Sequence, residues 1–314
     1  MTSFISSVDQ RTKLAGANRL EVLLFSLGQD QLTERNEVFG INVFKVREVM
    51  HVPDITRAPD MPDAVEGMVS LRGTMVPVVN LQKFCHIQCN DKPKILMVTE
   101  YNKHVQGFLV DSVETIERLS WEEVKTPPPM VSSRMGGLVT AVAQLPDKRL
   151  VMIMDVEKVL GETAHFHDEE HLFDEIAAYT KREVHGLFAD DSSVARRQIS
   201  TTLDRMQIKY TATVNGAEAW AKLLEVAERA EAAGKSVSDY IDFVLTDVEM
   251  PEMDGYVLTQ RIKSDPRFKD IPVLMHSSLS AEANQALGRG MGADVYVPKF
   301  EPLELSAALT RLLD

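Results

Sequence analysis

From Val184 onward, short apolar runs alternate with amphipathic stretches, and this alternation restricts the possible folds more than any other feature of the chain. The runs Val184–Asp190, Lys209–Thr213, Ile241–Asp247, Val273–His276 and Val295–Val297 are each followed by helical spacing, over Val194–Met206, Ala217–Ala233, Tyr256–Lys263, Ala281–Met291 and Leu303–Leu313. Strand then helix, five times over, predicts an α/β domain with a parallel sheet covered on both faces. In such open sheets ligands bind outside the carboxyl ends of the strands. Asp190, Asp191, Asp247, Ser277 and Lys299 all lie at or just past those ends.

That set suits phosphoryl transfer. Three crowded carboxylates repel one another unless a cation shares the space. Mg2+ meets the need, because it keeps several waters and takes one or two carboxylates plus phosphate oxygens. The expected ligands are Asp190, Asp191, Asp247 and the backbone carbonyl of Glu249. Asp247 would attack phosphorus as a carboxylate nucleophile, Lys299 would pair with a phosphoryl oxygen, and Ser277 would donate a hydrogen bond to another. Each residue also has a plainer reading: Asp190 and Asp191 as caps of the helix near Ser193, Asp247 as the start of a turn, Ser277 as a helix cap and Lys299 as a solvated loop residue.

Residues 19–160 read differently. Strand signals cover Leu20–Leu27, Val38–Val49 (one long strand or two short ones), Gly67–Gly73 and Thr74–Leu81 around a turn near Gly73, Ile95–Thr99, Val105–Val113, Gly137–Gln144 and Leu150–Met154. Many short strands at regular intervals predict an all-β sandwich or small barrels. No catalytic constellation is visible there. Cys85 and Cys89, the two cysteines, lack a second pair and are expected to be free thiols rather than zinc ligands. Arg72 stands at a hairpin turn, where a solvated cation is the common reading.

The length of 314 residues points to about two domains, and 44% hydrophobic residues suffice for two cores. A net charge of −13 argues against nucleic acid held by general electrostatics. No apolar stretch approaches the roughly 20 residues of a membrane span, and Met1–Ile5 lacks a signal-peptide pattern. A cytoplasmic protein with reduced thiols is expected.

Two resemblances sharpen this. Phe39-Gly40-Ile41-Asn42-Val43, Val46-Arg47-Glu48-Val49, Met61-Pro62 and the run from Gly67 to Leu81 resemble the CheW family of chemotaxis coupling proteins over nearly all of residues 19–160. That resemblance implies two small five-stranded barrels bridging chemoreceptor cytoplasmic tips to the histidine kinase CheA, with CheW itself as a further partner in receptor arrays. By matching position, Val46, Glu48 and Arg72 fall among the contact residues. Ala189-Asp190-Asp191-Ser192, Thr246-Asp247, Met250-Pro251, Met253-Asp254-Gly255, Ser277, Tyr296 and Lys299 resemble the receiver domain of response regulators over residues 184–314. This implies a flavodoxin-like (βα)5 fold and a phosphoacceptor at Asp247 served by a histidine kinase. It also implies a switch in which the Ser277 hydroxyl moves toward the phosphoryl group and Tyr296 fills the space left.

A CheW-like domain followed by a receiver resembles the CheV family. The function implied is a phosphoacceptor adaptor, not a turnover enzyme, recruited to membrane-associated receptor arrays. The alternatives are a Mg2+-dependent phosphatase, a phosphate sink and a DNA-binding regulator, the last without a basic or helix-turn-helix-like segment to support it. Three positions depart from the receiver pattern: Phe300 where proline is usual after the lysine, Glu249 as an extra acid near the site mouth, and Ser278 where a small apolar residue is common. A non-proline there favours a trans peptide and leaves room for a differently placed lysine. Between the domains, residues 161–183 read as a linker, and His165, His167 and His171 read as part of a solvated hinge rather than a zinc site.

Overall fold

The computed structural model describes residues 19–57, 59, 61–101, 104–128, 130–131, 138–163, 173–277 and 290–314. Ser278, the three histidines at 165, 167 and 171, and most of the expected helix 281–291 lie outside these. The chain divides into two compact units, one within Leu20–Phe166 and one within His167–Asp314.

The first unit contains strands β1 (Arg19–Ser26), β2 (Val38–Asn42), β3 (Val46–His51), β4 (Val65–Leu71), β5 (Thr74–Asn80), β6 (Ile95–Tyr101), β7 (His104–Val110), β8 (Ser112–Ser120), β9 (Val139–Gln144) and β10 (Leu150–Met154), with helices α1 (Leu81–Phe84) and α2 (Val156–Thr163). They form two five-stranded sheets, ordered β8-β1-β2-β10-β9 and β3-β6-β7-β5-β4. Each curls on itself. In the second sheet, Thr56 and Met68 exchange backbone hydrogen bonds of 2.9 and 2.8 Å, tying the chain after β3 to β4. In the first, Lys125 and Val142 exchange two of 2.8 Å, tying the chain after β8 to β9. Both edges are thereby covered, as in small barrels.

Val38–Val49 resolves into two strands that belong to different barrels. The break is local: the Asn42 side chain accepts a 2.9 Å hydrogen bond from the Phe44 backbone N–H and starts a 3-10 turn over Val43–Lys45. Sequence reading missed most of β8, whose face is largely solvated and carries Glu114, Glu117 and Arg118 with little apolar alternation. β1 shows why its run is continuously apolar. Val22 and Leu24 fill the first barrel, whereas Leu23 and Phe25 enter a separate core with Val79, Met97 and Phe108 from the second. A strand buried on both faces loses the period-2 pattern.

The second unit contains β11 (His185–Ala189), α3 (Ser193–Arg205), β12 (Lys209–Thr213), α4 (Gly216–Ala232), β13 (Phe243–Asp247), α5 (Gly255–Ser264), β14 (Val273–Ser277), β15 (Val295–Pro298) and α6 (Pro302–Leu313). The sheet order is β12-β11-β13-β14-β15, and every pairing is parallel. This is the flavodoxin-like order, with its switch point between β11 and β13. Phe188, Leu245 and Leu274 face one core with α3 and α6; Leu187, Val244 and Val273 face the other with α4 and α5. Part of the expected linker is built into this unit. Ile176 and Tyr179 belong to its core, Tyr179 Oη donates to the Leu313 carbonyl at 2.9 Å, and Lys181 pairs with Asp314 at 2.7 Å. On the other side, α2 runs past residue 160, with Val156 and Val159 in the core shared by the two barrels.

Candidate functional site

Because the sheet of the second unit is parallel, the carboxyl ends of its strands share one edge. Asp247 is the last residue of β13, Asp190 and Asp191 follow β11, Ser277 ends β14 and Lys299 follows β15. Oxygen atoms of Asp190, Asp191 and Asp247 all lie within 4.8 Å of one another. Lys299, whose side chain is only 2% exposed, places Nζ 2.9 Å from Asp190 Oδ2 and 3.0 Å from Asp247 Oδ2. One ammonium among three carboxylates leaves negative charge in excess. The cluster therefore has the donor chemistry and spacing for a hard divalent cation that retains waters.

The capping alternative for the acid pair is answered locally. Ser192 caps α3, its hydroxyl accepting from the Ala195 N–H at 3.4 Å. Asp190 Oδ1 accepts from the Ser192 N–H at 2.9 Å, which orients the carboxylate while its other oxygen faces Lys299. Arg196 was not singled out in the sequence. Its guanidinium donates to the carbonyls of both Asp190 and Asp191 at 2.8 Å, pinning the acid pair; a cation in the first turn after two acids was the available signal.

Asp247 Oδ1 accepts from the Val248 N–H at 2.6 Å, leaving Oδ2 on Lys299. The loop beyond it is held by Gly255, where a Cβ would stand 2.0 Å from the Asp247 carbonyl oxygen. Only glycine lets α5 begin that close to the strand end. Asp254 caps α5, accepting from the Val257 N–H at 2.7 Å, and burial pushes its carboxyl up to about 6.

Ser277 is buried, and its side chain shares a hydrogen bond with that of Tyr296. Burial pushes the Tyr296 phenol up to about 12. Glu249 is half-buried, and its charge reaches both Tyr256 and Tyr296. The Lys299–Phe300 peptide is trans, like every described peptide bond, and Lys299 nevertheless reaches both aspartates. Phe300 takes up the turn at φ +61°, in the left-handed region that disfavours bulky side chains.

The first unit brings two of its three flagged residues, Glu48 and Arg72, into contact, whereas Val46 packs against the core shared by the two barrels, with a register shift in β3 between Val46 and Glu48. Val46 and Glu48 lie on β3, and Arg72 forms the tip of the β4–β5 hairpin. Arg72 Nη2 is 2.9 Å from Glu48 Oε2, and the Arg72 side chain is 74% exposed. Leu71 pairs with Thr74, and Arg72 and Gly73 have φ of +51° and +85°, so the two turn residues adopt the positive-φ geometry usually filled by Asn, Asp or Gly. An arginine there is conformationally disfavoured. Cys85 is half-buried and its thiol is pushed up to about 12 by burial; both cysteines are free thiols.

Comparison with known proteins agrees with both units. Residues 21–164 match the CheW-like domain and residues 187–310 the response regulator receiver domain. The chain is 30% identical over 281 residues to chemotaxis protein CheV3 of Helicobacter pylori, covering 88% of this chain and 89% of that one. It is 26% identical over 324 residues to chemotaxis protein CheV2 of the same organism, covering 98% and 99%. Chemotaxis protein CheW of Klebsiella aerogenes is 30% identical over 169 residues, covering 53% of this chain and 94% of that protein. With a CheW-like unit, a receiver unit and this near full-length similarity, the chain belongs to the CheV family of chemotaxis proteins.

Proposed function

We propose that this chemotaxis coupling adaptor accepts a phosphoryl group on Asp247 and that the modification alters how its CheW-like unit engages its partners. The observation that carries the reading is the convergence of Asp190, Asp191 and Asp247 on the buried ammonium of Lys299 at the carboxyl edge of the sheet. Asp190 and Asp191, with Asp247 and the Glu249 carbonyl, would hold Mg2+, which when bound offsets charge on the transferring group. The residues themselves do the rest. Asp247 Oδ attacks phosphorus while the P–N bond of a donor phosphohistidine breaks. Lys299, already at Asp247, supplies the positive charge a phosphoryl oxygen needs, and Ser277 donates to another oxygen. Residues 19–160 act as the coupling domain and 184–314 as the receiver.

The partners are the kinase CheA, chemoreceptor cytoplasmic tips and, within receptor arrays, CheW, engaged through a surface that includes Val46, Glu48 and Arg72. No described helix is long and apolar enough to cross a membrane, so recruitment to membrane-associated arrays would run through those partners. The test is incubation of the full chain with phosphorylated CheA and Mg2+, following acid-labile label. Stoichiometric label on the parent, lost in Asp247→Asn and on chelation, supports the reading; label that persists in Asp247→Asn overturns it. Sustained release of phosphate from small phosphoesters would favour a phosphatase instead.

A further inference from the structure

Tyr256 sits in the first turn of α5, packed with Val248 and Met275 in a small cluster that Tyr296 also joins. The residue is 7% exposed, and its fully shielded hydroxyl has no hydrogen-bond partner among the described residues. A buried hydroxyl without a partner costs folding free energy that phenylalanine, filling the same space, would not. Burial is the main cause raising this phenol far above its usual range, with the nearby acids Glu249, Asp254 and Asp247 adding to it, so it remains a neutral O–H donor. The hydroxyl of Tyr296, in the same cluster, is hydrogen-bonded to the Ser277 side chain. Two phenols therefore share one cluster beside the strand ends, one partnered through the switch serine and one not.

We propose that Tyr256 is a positioning residue of the phosphorylation switch: when Ser277 turns to the phosphoryl group and leaves Tyr296, the Tyr256 hydroxyl donates to the Tyr296 oxygen in its place. The proposal rests on Asp247 being the phosphoacceptor. Before phosphorylation Tyr296 is bonded to Ser277, and the Tyr256 hydroxyl has no partner among the described residues. Afterwards Ser277 bonds the phosphoryl group and the Tyr256 hydroxyl has an acceptor in the Tyr296 oxygen, a net gain of one hydrogen bond. The unsatisfied hydroxyl thus biases the receiver toward its phosphorylated arrangement, as a ligand can shift a two-state element only through contacts that differ between the states.

The experiment is a titration of the full-length chain with beryllofluoride, a phosphoryl mimic, in Mg2+, read by calorimetry and thermal melting. Tyr256→Phe keeps the ring and removes only the donor. It should weaken beryllofluoride binding by about fivefold or more, the scale of one hydrogen bond. The free variant should melt no lower than the parent, because an unsatisfied group has been removed. In a Tyr296→Phe background the same change should have no effect on affinity, since the acceptor is gone. Unchanged affinity in Tyr256→Phe, or a loss that persists in the Tyr296→Phe background, overturns the proposal and makes Tyr256 a packing residue. A beryllofluoride response retained in Asp247→Asn instead overturns the phosphoacceptor reading beneath it, so the two failures are told apart.

Discussion

Lys299 in the receiver unit and Arg72 in the CheW-like unit are both long cations paired with carboxylates at about the same distance, and they differ in exposure. The Lys299 side chain is 2% exposed between partners at 0% and 5%, whereas that of Arg72 is 74% exposed against Glu48 at 21%. Breaking a buried pair by removing one partner costs about 3–5 kcal/mol, because the charge left behind is neither solvated nor paired. An exposed pair is worth about 0–1 kcal/mol, since water and salt compete for both ends. The same contact is therefore costly to break at the strand ends and cheap to break at the hairpin tip.

Lys299→Ala tests the buried half of the comparison hardest. It should cost about 3–5 kcal/mol in urea unfolding, and Mg2+ should recover part of the loss by taking over as counter-charge. A cost under about 1 kcal/mol would mean that burial does not distinguish the two pairs. Gly255→Ala probes the same edge sterically. A Cβ 2.0 Å from the Asp247 carbonyl oxygen forces the start of α5 away from β13. A loss of about 1–3 kcal/mol, typical of overpacking, should accompany slower phosphorylation of Asp247. Full phosphorylation at parental stability would show that the loop yields freely.

Burial raises the folded Asp254 carboxyl to about 6, above its ordinary value of 3.8, so between these values the folded chain keeps a proton that the unfolded chain has released. The contribution of this group to stability is therefore full below about 4 and declines as pH rises through about 6. Asp254→Asn keeps a competent helix cap without a titrating charge. Relative to the parent it should gain on the order of 2 kcal/mol at pH 7 and little at pH 4. Parallel stability curves for variant and parent would rule out a buried charge there.

The smallest effect on stability is expected at the exposed pair. Arg72→Glu should change folding free energy by no more than about 0.5 kcal/mol, as surface substitutions usually do. Binding to CheA or to receptor should nonetheless fall, and exchanging the charges in Glu48→Arg/Arg72→Glu should restore the local pair without restoring partner binding. Unaltered affinity of Arg72→Glu for both partners would remove this hairpin from the interface.

Much of both halves could be read from the order of residues alone, because strand and helix periods are local properties. The five βα units, the acids at the ends of β11 and β13, the lysine after β15 and the arginine at a hairpin turn all show in spacing, since in a parallel sheet the end of each apolar run marks one edge. The tertiary structure decided which elements are partners. Val38–Val49 carries no sign that its two strands enter different barrels, and Ile176 and Tyr179 give no sign that they pack into the receiver, because periodicity reports which face is apolar and not what will cover it. Arg196 on the carbonyls of the acid pair and Gly255 against the Asp247 carbonyl emerge only once chain segments are brought together. Tyr256 looks like an ordinary apolar helix position in the sequence. That its hydroxyl is buried in the cluster that Tyr296 joins, with no partner among the described residues, follows from packing between elements distant in sequence, which no local pattern encodes.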